Sequence, residues 1–266
     1  MQVKLSPKDM LSTDLIAERK IDRAVLRDMH QETSRSFNTF SEAIIPEYTP
    51  VSNQGGIGSC VANAMCDGLE ILQGLADPFS VQQLSRLSLY YWSRCKHRGQ
   101  TQDDGTYIHS AAEQLQTMGV LLESDWPYDE SKVNDPPPSH LAMAASDNRL
   151  SGAVPLKKRA DVLDEVEALV RSGCPVVLSA QITRAGFQDP DPSAVLDAPE
   201  GEIWGGHAIL CTGVRVLRSG LREFYIRNSW GASWGDHGHI WINTRYMERG
   251  IFGFVALTLR PGLVTL

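Results

Sequence analysis

No uninterrupted apolar run in the 266 residues approaches the length of about 20 needed to cross a bilayer as a helix, which argues against a membrane-spanning chain. The opening MQVKLSPKDM lacks the apolar stretch of a secretory leader, so the expected compartment is the cytoplasm, with export by a route that reads no leader as the other possibility. Basic charge is also short. Twenty-five Lys and Arg against 32 Asp and Glu leave a net charge of -7, without the basic face that nucleic acid or an anionic membrane surface requires. Cysteine is sparse: five residues, an odd number, with no CxxC spacing, so neither a disulfide scaffold nor a zinc site is indicated and at least one thiol should be free. His237 and His239 in DHGH lack a nearby third ligand and read as a turn and a surface strand, so no metal or cofactor is called for. What remains is ample for folding: 42% hydrophobic residues can bury a sizeable core, as one large domain or two fused lobes.

The most informative stretch is Gln54 to Ala64, QGGIGSCVANA. Gly55, Gly56 and Gly58 allow a tight turn, and Val61, Met65, Leu69 and Leu72 then recur at helical spacing. Cys60 is thereby placed at a helix N-terminus, where unpaired N–H groups and the helix dipole favour the thiolate. From this stretch alone, a small buried core cysteine fits equally well.

Upstream, residues 1–45 read as a separate element: after Ser12, Thr13 or Asp14 as cap, Ile21, Val25, Leu26 and Met29 form the apolar stripe of one amphipathic helix. It is either docked on the domain or laid over a cleft. Downstream, Ser80 to Trp92 is expected to pack against the Cys60 helix. A further helix in DDGTYIHSAAEQLQTMG carries Ile108, Ala111, Ala112, Leu115 and Met118 on one face and stops at Gly119. ESDWPYD and NDPPPSH are connectors, with a lobe boundary near 130–150. Asp161 to Ser172 predicts a helix ending at Gly173, and PVVLSAQI, GHAILCTGV, REFYIRNSW and HIWINT predict strands. The fold class is α+β: a helical lobe (46–145) and a β-rich lobe (146–266) facing each other across a cleft.

A thiol nucleophile needs an imidazole to take its proton, and that imidazole needs a third group to fix its orientation. His207, following Gly205 and Gly206 at the head of a strand, and Asn228, ending the FYI strand, complete such a set with Cys60. With Gln54 six residues before Cys60, with GSC, with His207 and Asn228 lying 147 and 168 residues downstream, and above all with NSWGASWGDHG, the sequence resembles the papain-like cysteine peptidases of the C1 family. The resemblance spans Pro50 to Ile240 and leaves the N-terminus out.

The resemblance implies a papain-like two-lobed fold with a barrel-like β lobe, and a cysteine endopeptidase acting on polypeptide as a monomer. Cys60 would be nucleophile, His207 general base and then acid, and Asn228 the group orienting the imidazole. Gln54 and the Cys60 N–H would form the oxyanion hole, with Trp230 shielding the His207–Asn228 bond. Gly105 would lie on the strand that pairs with substrate backbone, and Gly206 beside the pocket for the second residue before the cut. Ile57 stands where many secreted relatives have a disulfide cysteine, and Val61 where a tryptophan usually follows the nucleophile. Losing that disulfide suits a reducing compartment and a compact bacterial or phage type. The long eukaryotic prosegment pattern is missing from 1–45, which leaves a short prosegment or a permanent decoration. A transpeptidase or amidase on the same scaffold, and a silent binding module, are the other outcomes the sequence allows. The acidic stretch Asp189 to Glu202 is either a solvated loop or a rim favouring cationic substrates.

Overall fold

The computed structural model describes residues 41–99 and 102–259. Most of the N-terminal amphipathic segment therefore lies outside the described residues. Its last residues do not: Glu42–Ile44 form strand β1, paired antiparallel with residues 213–215, so the chain joins the sheet before position 45.

Helix α1, Cys60–Ala76, is the centre of the molecule. Its predicted stripe of Val61, Met65, Leu69 and Leu72 is buried, but so are Asn63, Asp67 and Glu70, because packing surrounds the helix on nearly every side. Helix α2, Arg86–Arg98, begins where the Ser85 hydroxyl accepts the Ser88 N–H at 3.1 Å and ends at left-handed Gly99. Residues 80–85 do not join it, although the apolar run began at Ser80. Their backbone is taken by the segment 121–123, with Ser85 N donating to Leu121 O and Glu123 N to Gln83 O, each at 2.8 Å. Helix α3, Ile108–Thr117, buries Ile108, Ala111, Ala112 and Leu115. Met118, expected on that face, is instead the C-cap and 44% exposed, and Gly119 turns the chain at φ 85°.

The second half is one sheet. Strands β2 (Gly152–Leu156), β3 (Val176–Thr183), β4 (Val195–Leu196), β5 (Ile203–Val216), β6 (Arg222–Arg227), β7 (His239–Asn243) and β8 (Ile251–Thr258) run in the order β2-β8-β3-β5-β6-β7-β4. Strand β5 is long enough to serve two neighbours on one edge, β3 along 203–211 and β1 along 213–215. Short helices α4 (Val162–Arg171), α5 (Arg184–Phe187) and α6 (Thr244–Arg249) fill the connections. α1 packs on β5, β3 and β8. The approach is close at Gly68, where a Cβ would stand 2.4 Å from Leu257 Cδ1.

Within that interface lies a buried ionic cluster. Asp67 of α1 accepts from Arg86 Nη2 at 2.6 Å and from Arg227 Nε, at the end of β6, at 3.1 Å. Glu70 takes the other guanidinium nitrogen of Arg86 at 2.8 Å, while Arg227 also bonds Glu47 and the carbonyls of Thr49 and Pro50. Burial would raise the Asp67 carboxyl, but the two guanidinium groups outweigh it and hold it below its ordinary value. Every formal charge there has a partner, the condition for burying ions at all. Among the described residues no helix is long and apolar enough to cross a membrane.

Candidate active site

Three segments meet at the N-terminus of α1. The first is the glycine-rich turn, which delivers Cys60 as the first helical residue, 8% exposed. The second is the head of β5, carrying His207, and the third is the turn after β6, carrying Asn228. Cys60 stands against β5, and the backbone N–H groups of Ala208, Val61 and Cys60 itself are near enough to its sulfur to favour the thiolate. Burial pushes the thiol above its ordinary value, and those N–H groups pull it back only in part.

His207 is 3% exposed, and its Nε2 meets Asn228 Oδ1 at 2.7 Å. Because an amide oxygen only accepts, the proton of a neutral imidazole sits on Nε2 and Nδ1 is left as the base. Burial lowers the imidazole to about 4, against the opposing pull of the Asn228 bond. Thiol and imidazole are therefore each driven toward neutrality by the same dry surroundings.

The surrounding contacts fix this geometry. Asn228 Oδ1 also accepts the Ser229 N–H at 2.8 Å, and Asn228 N donates to Gly238 O at 3.0 Å. The Trp230 ring lies 4.9 Å from that of His207, and Phe187 stands edge-on to both at 6.0 and 5.5 Å. Trp234 Nε1 donates to Phe187 O at 2.8 Å and so holds that wall. These rings keep water from the Nε2–Oδ1 bond.

Gln54 is joined to the Asn228 turn twice. Its backbone N donates to Ser229 O at 2.8 Å, and its side-chain Oε1 accepts the Ser229 hydroxyl at 2.7 Å. Nε2 then points along the turn, giving one proton to Ile57 O at 2.9 Å and keeping a second. Tyr128 presses on the same turn, its hydroxyl contacting Ser59 Oγ at 2.5 Å and donating to Gln54 O at 2.9 Å. Sequence reasoning took ESDWPYD only as a connector. A tyrosine in such a segment gives no sign that its hydroxyl is buried, and Ser229, although inside the NSWG block, received no role.

The structure thus brings Cys60, His207, Asn228, Gln54 and Trp230 together, with Gly206 immediately before the histidine and Gly105 beside Gly58. Other candidates lie elsewhere. His239 pairs with Glu47 at 2.8 Å and stacks on Tyr225, and His237 is an exposed turn residue. Cys66 and Cys211 are fully buried, with thiols pushed up by burial. In the acidic stretch, Asp197 is committed to Asn243 at 2.6 Å and Arg245 at 2.7 Å, and Asp191 caps its own turn at Ser193.

Comparison with known proteins accords with this geometry. The family described as papain family cysteine protease matches residues 37–255. An uncharacterized peptidase C1-like protein of Acanthamoeba polyphaga mimivirus is 26% identical over 212 residues, covering 76% of this chain and 67% of the viral one. A cathepsin L-like proteinase of Phaedon cochleariae is 27% identical over 72% of this chain, which spans 55% of the beetle protein's length. Among solved structures, xylellain, a cysteine protease from Xylella fastidiosa, superposes with a TM-score of 0.72 at 24% identity, over 84% of this chain and 88% of that one. Digestive procathepsin L 3 of Tenebrio molitor follows at 0.66 and 21%, over 84% and 72%. At those identities the superpositions speak for the two-lobed α+β architecture. Taken with the family match, they allow one statement of kinship: the chain belongs to the papain family of cysteine proteases.

Proposed function

We propose that the chain is a thiol endopeptidase with Cys60 as nucleophile. The observation that carries the reading is the Asn228 Oδ1–His207 Nε2 contact, which leaves Nδ1 as the base beside a thiol at a helix N-terminus. In the first step the Cys60 sulfur attacks a peptide carbonyl while its proton passes to His207 Nδ1. Negative charge gathers on the carbonyl oxygen, where the Cys60 N–H and the second Nε2 proton of Gln54 are the donors available. The C–N bond breaks as His207 returns the proton to the leaving amine, and a thioester remains on Cys60. Water, deprotonated by His207, attacks the thioester. The acid product leaves as the thiol recovers its proton.

Trp230 and Phe187 support the imidazole throughout by keeping the Nε2 bond dry. Gly105 and Gly206 are the backbone positions for substrate on either side of the thiol. Residues 1–40 are proposed as a short prosegment, and truncation to test this should stop at position 40, since β1 is already part of the sheet.

Intact-mass spectrometry after exposure to a thiol-directed epoxide tests the reading, comparing wild type with Cys60→Ala, each with and without residues 1–40. One adduct on wild type and none on Cys60→Ala is the expected result. An adduct only after truncation identifies the prosegment as inhibitory. A folded wild-type protein that takes no adduct in either form rejects the peptidase reading in favour of a binding module.

A further inference from the structure

Two glycine turns touch beside the thiol. Gly58 lies two residues before Cys60, and Gly105 adopts a left-handed φ of 78°. A Cβ on Gly58 would stand 3.3 Å from Gly105 N, 3.1 Å from Tyr90 Oη and 3.3 Å from Asp103 Oδ1, so the two backbones are in contact around a pair of polar side chains. Those side chains form a chain of hydrogen bonds. Asp103 Oδ1 accepts the Gly58 N–H at 2.9 Å and the Tyr90 hydroxyl at 2.6 Å, and Tyr90 Oη in turn accepts the Gly105 N–H at 2.9 Å.

The far end of that chain is rigid. Tyr90 is fully buried on α2, and the Arg94 guanidinium lies 4.1 Å above its ring. Arg94 itself donates to the carbonyl of Gln102, next to Asp103, and to that of Val133 in a later connector, tying both segments to the helix. Burial and the neighbouring carboxylate hold the Tyr90 hydroxyl well above its ordinary range, so it stays a donor to Asp103. No disulfide does this work, since none forms among the described residues.

We propose that Asp103 is a positioning residue for substrate: through Gly58 and Tyr90 it sets the separation between the nucleophile turn and the Gly105 backbone along which the acyl side of a peptide lies. This rests on the reading of Cys60 as nucleophile and of Gly105 as a substrate-binding position. Asp103 touches no reacting atom. Its loss widens the gap that the peptide must bridge, while the thiol keeps its helix terminus, His207 and Asn228. A small reagent that needs only the thiol is therefore blind to the change, and a peptide-length reagent is not.

The test compares wild type, Asp103→Asn, Asp103→Ala and Tyr90→Phe in the full chain. For each, the second-order rate of Cys60 alkylation by iodoacetamide is set beside the inactivation rate with a peptidyl epoxide, and thermal unfolding confirms the fold. The peptidyl rate is expected to fall about tenfold in Asp103→Ala, the size of one charge-assisted hydrogen bond, while the iodoacetamide rate stays within about twofold. Asp103→Asn keeps an acceptor and should recover part of the loss. Both rates falling together, or neither falling, overturns the proposal.

If neither reagent labels wild-type Cys60, the nucleophile reading is what has failed. Amide hydrogen exchange then decides the linkage by itself. Exchange at Gly58 and Gly105 faster by about tenfold in Asp103→Ala upholds it, and unchanged exchange overturns it.

Discussion

Replacing Asn228 by Ala should separate activity from stability, because this one side chain makes two useful contacts and leaves one atom without a partner. Its Oδ1 accepts from His207 Nε2 at 2.7 Å and from Ser229 N at 2.8 Å, while its Nδ2 is buried with no hydrogen bond. In Asn228→Ala the imidazole N–H stays enclosed by Trp230 and Phe187 without an acceptor, at a cost of about 1–3 kcal/mol. On the proposed mechanism that cost grows as His207 becomes positively charged on taking the thiol proton, so it falls on the transition state, and kcat/KM should drop by about 5- to 150-fold, mainly in kcat. Stability takes both signs. Ser229 N and His207 Nε2 both lose their acceptor, but the orphaned Nδ2 disappears, and each effect is about 1–3 kcal/mol, so the net is about one such loss. The unfolding midpoint should therefore move by only a few degrees, at about 2–4 °C per kcal/mol for a chain of this size. Steady-state kinetics on a fluorogenic peptide, with calorimetry on the same samples, measures both. A loss of activity below threefold, or a fall in midpoint above about 10 °C, refutes the argument.

Removing Asp67 in Asp67→Ala leaves Arg86 and Arg227 with Glu70 and Glu47 as their remaining charged partners, and should cost about 3–5 kcal/mol in chemical unfolding. A change below about 1 kcal/mol would mean the cluster is not holding the helix to the sheet. For pH, His207 titrates at about 4 when folded against an ordinary 6.5, so the unfolded chain binds the extra proton. The sign follows: about 3 kcal/mol of stability is present above 6.5 and is lost as pH falls from 6.5 to about 4. His207→Gln should flatten that part of the stability–pH curve, and an unchanged slope would contradict the assignment. Gln54→Ala removes the donor proposed for the oxyanion and should lower kcat by about 100-fold or more with little change in iodoacetamide reactivity. Equal losses in both assays would show that Gln54 only shapes the turn.

Local chemistry made much of this legible. The glycines before Cys60 and the helical spacing after it place the helix start where it is found, and Gly119 and Gly173 end their helices with φ of 85° and 86°. His207, Asn228 and Gln54 carried type and order enough to be gathered into one site. What escaped depends on distant partners. Strand β8, IFGFVALT, sits between β2 and β3, yet its apolar run has no alternation to separate a buried strand from a buried helix. Arg227 finds Asp67 across 160 positions, and nothing near either residue announces the pairing. The run from Ser80 read as helical because its backbone partner, 121–123, belongs to another segment. Asp103 and Tyr128 look like ordinary loop polar residues until their acceptors and donors are seen.

The Arg227 cluster bears on how a peptide gets in. Opening the cleft as a hinge would draw Asp67 on α1 away from Arg227 on the sheet and strand two desolvated ions, and residues 52–54 would have to unzip from 229–231 as well. The two halves are welded along their shared seam. On the peptidase reading proposed above, the seam leaves the peptide rather than the enzyme to adapt, and segments free to extend are the ones expected to be cut.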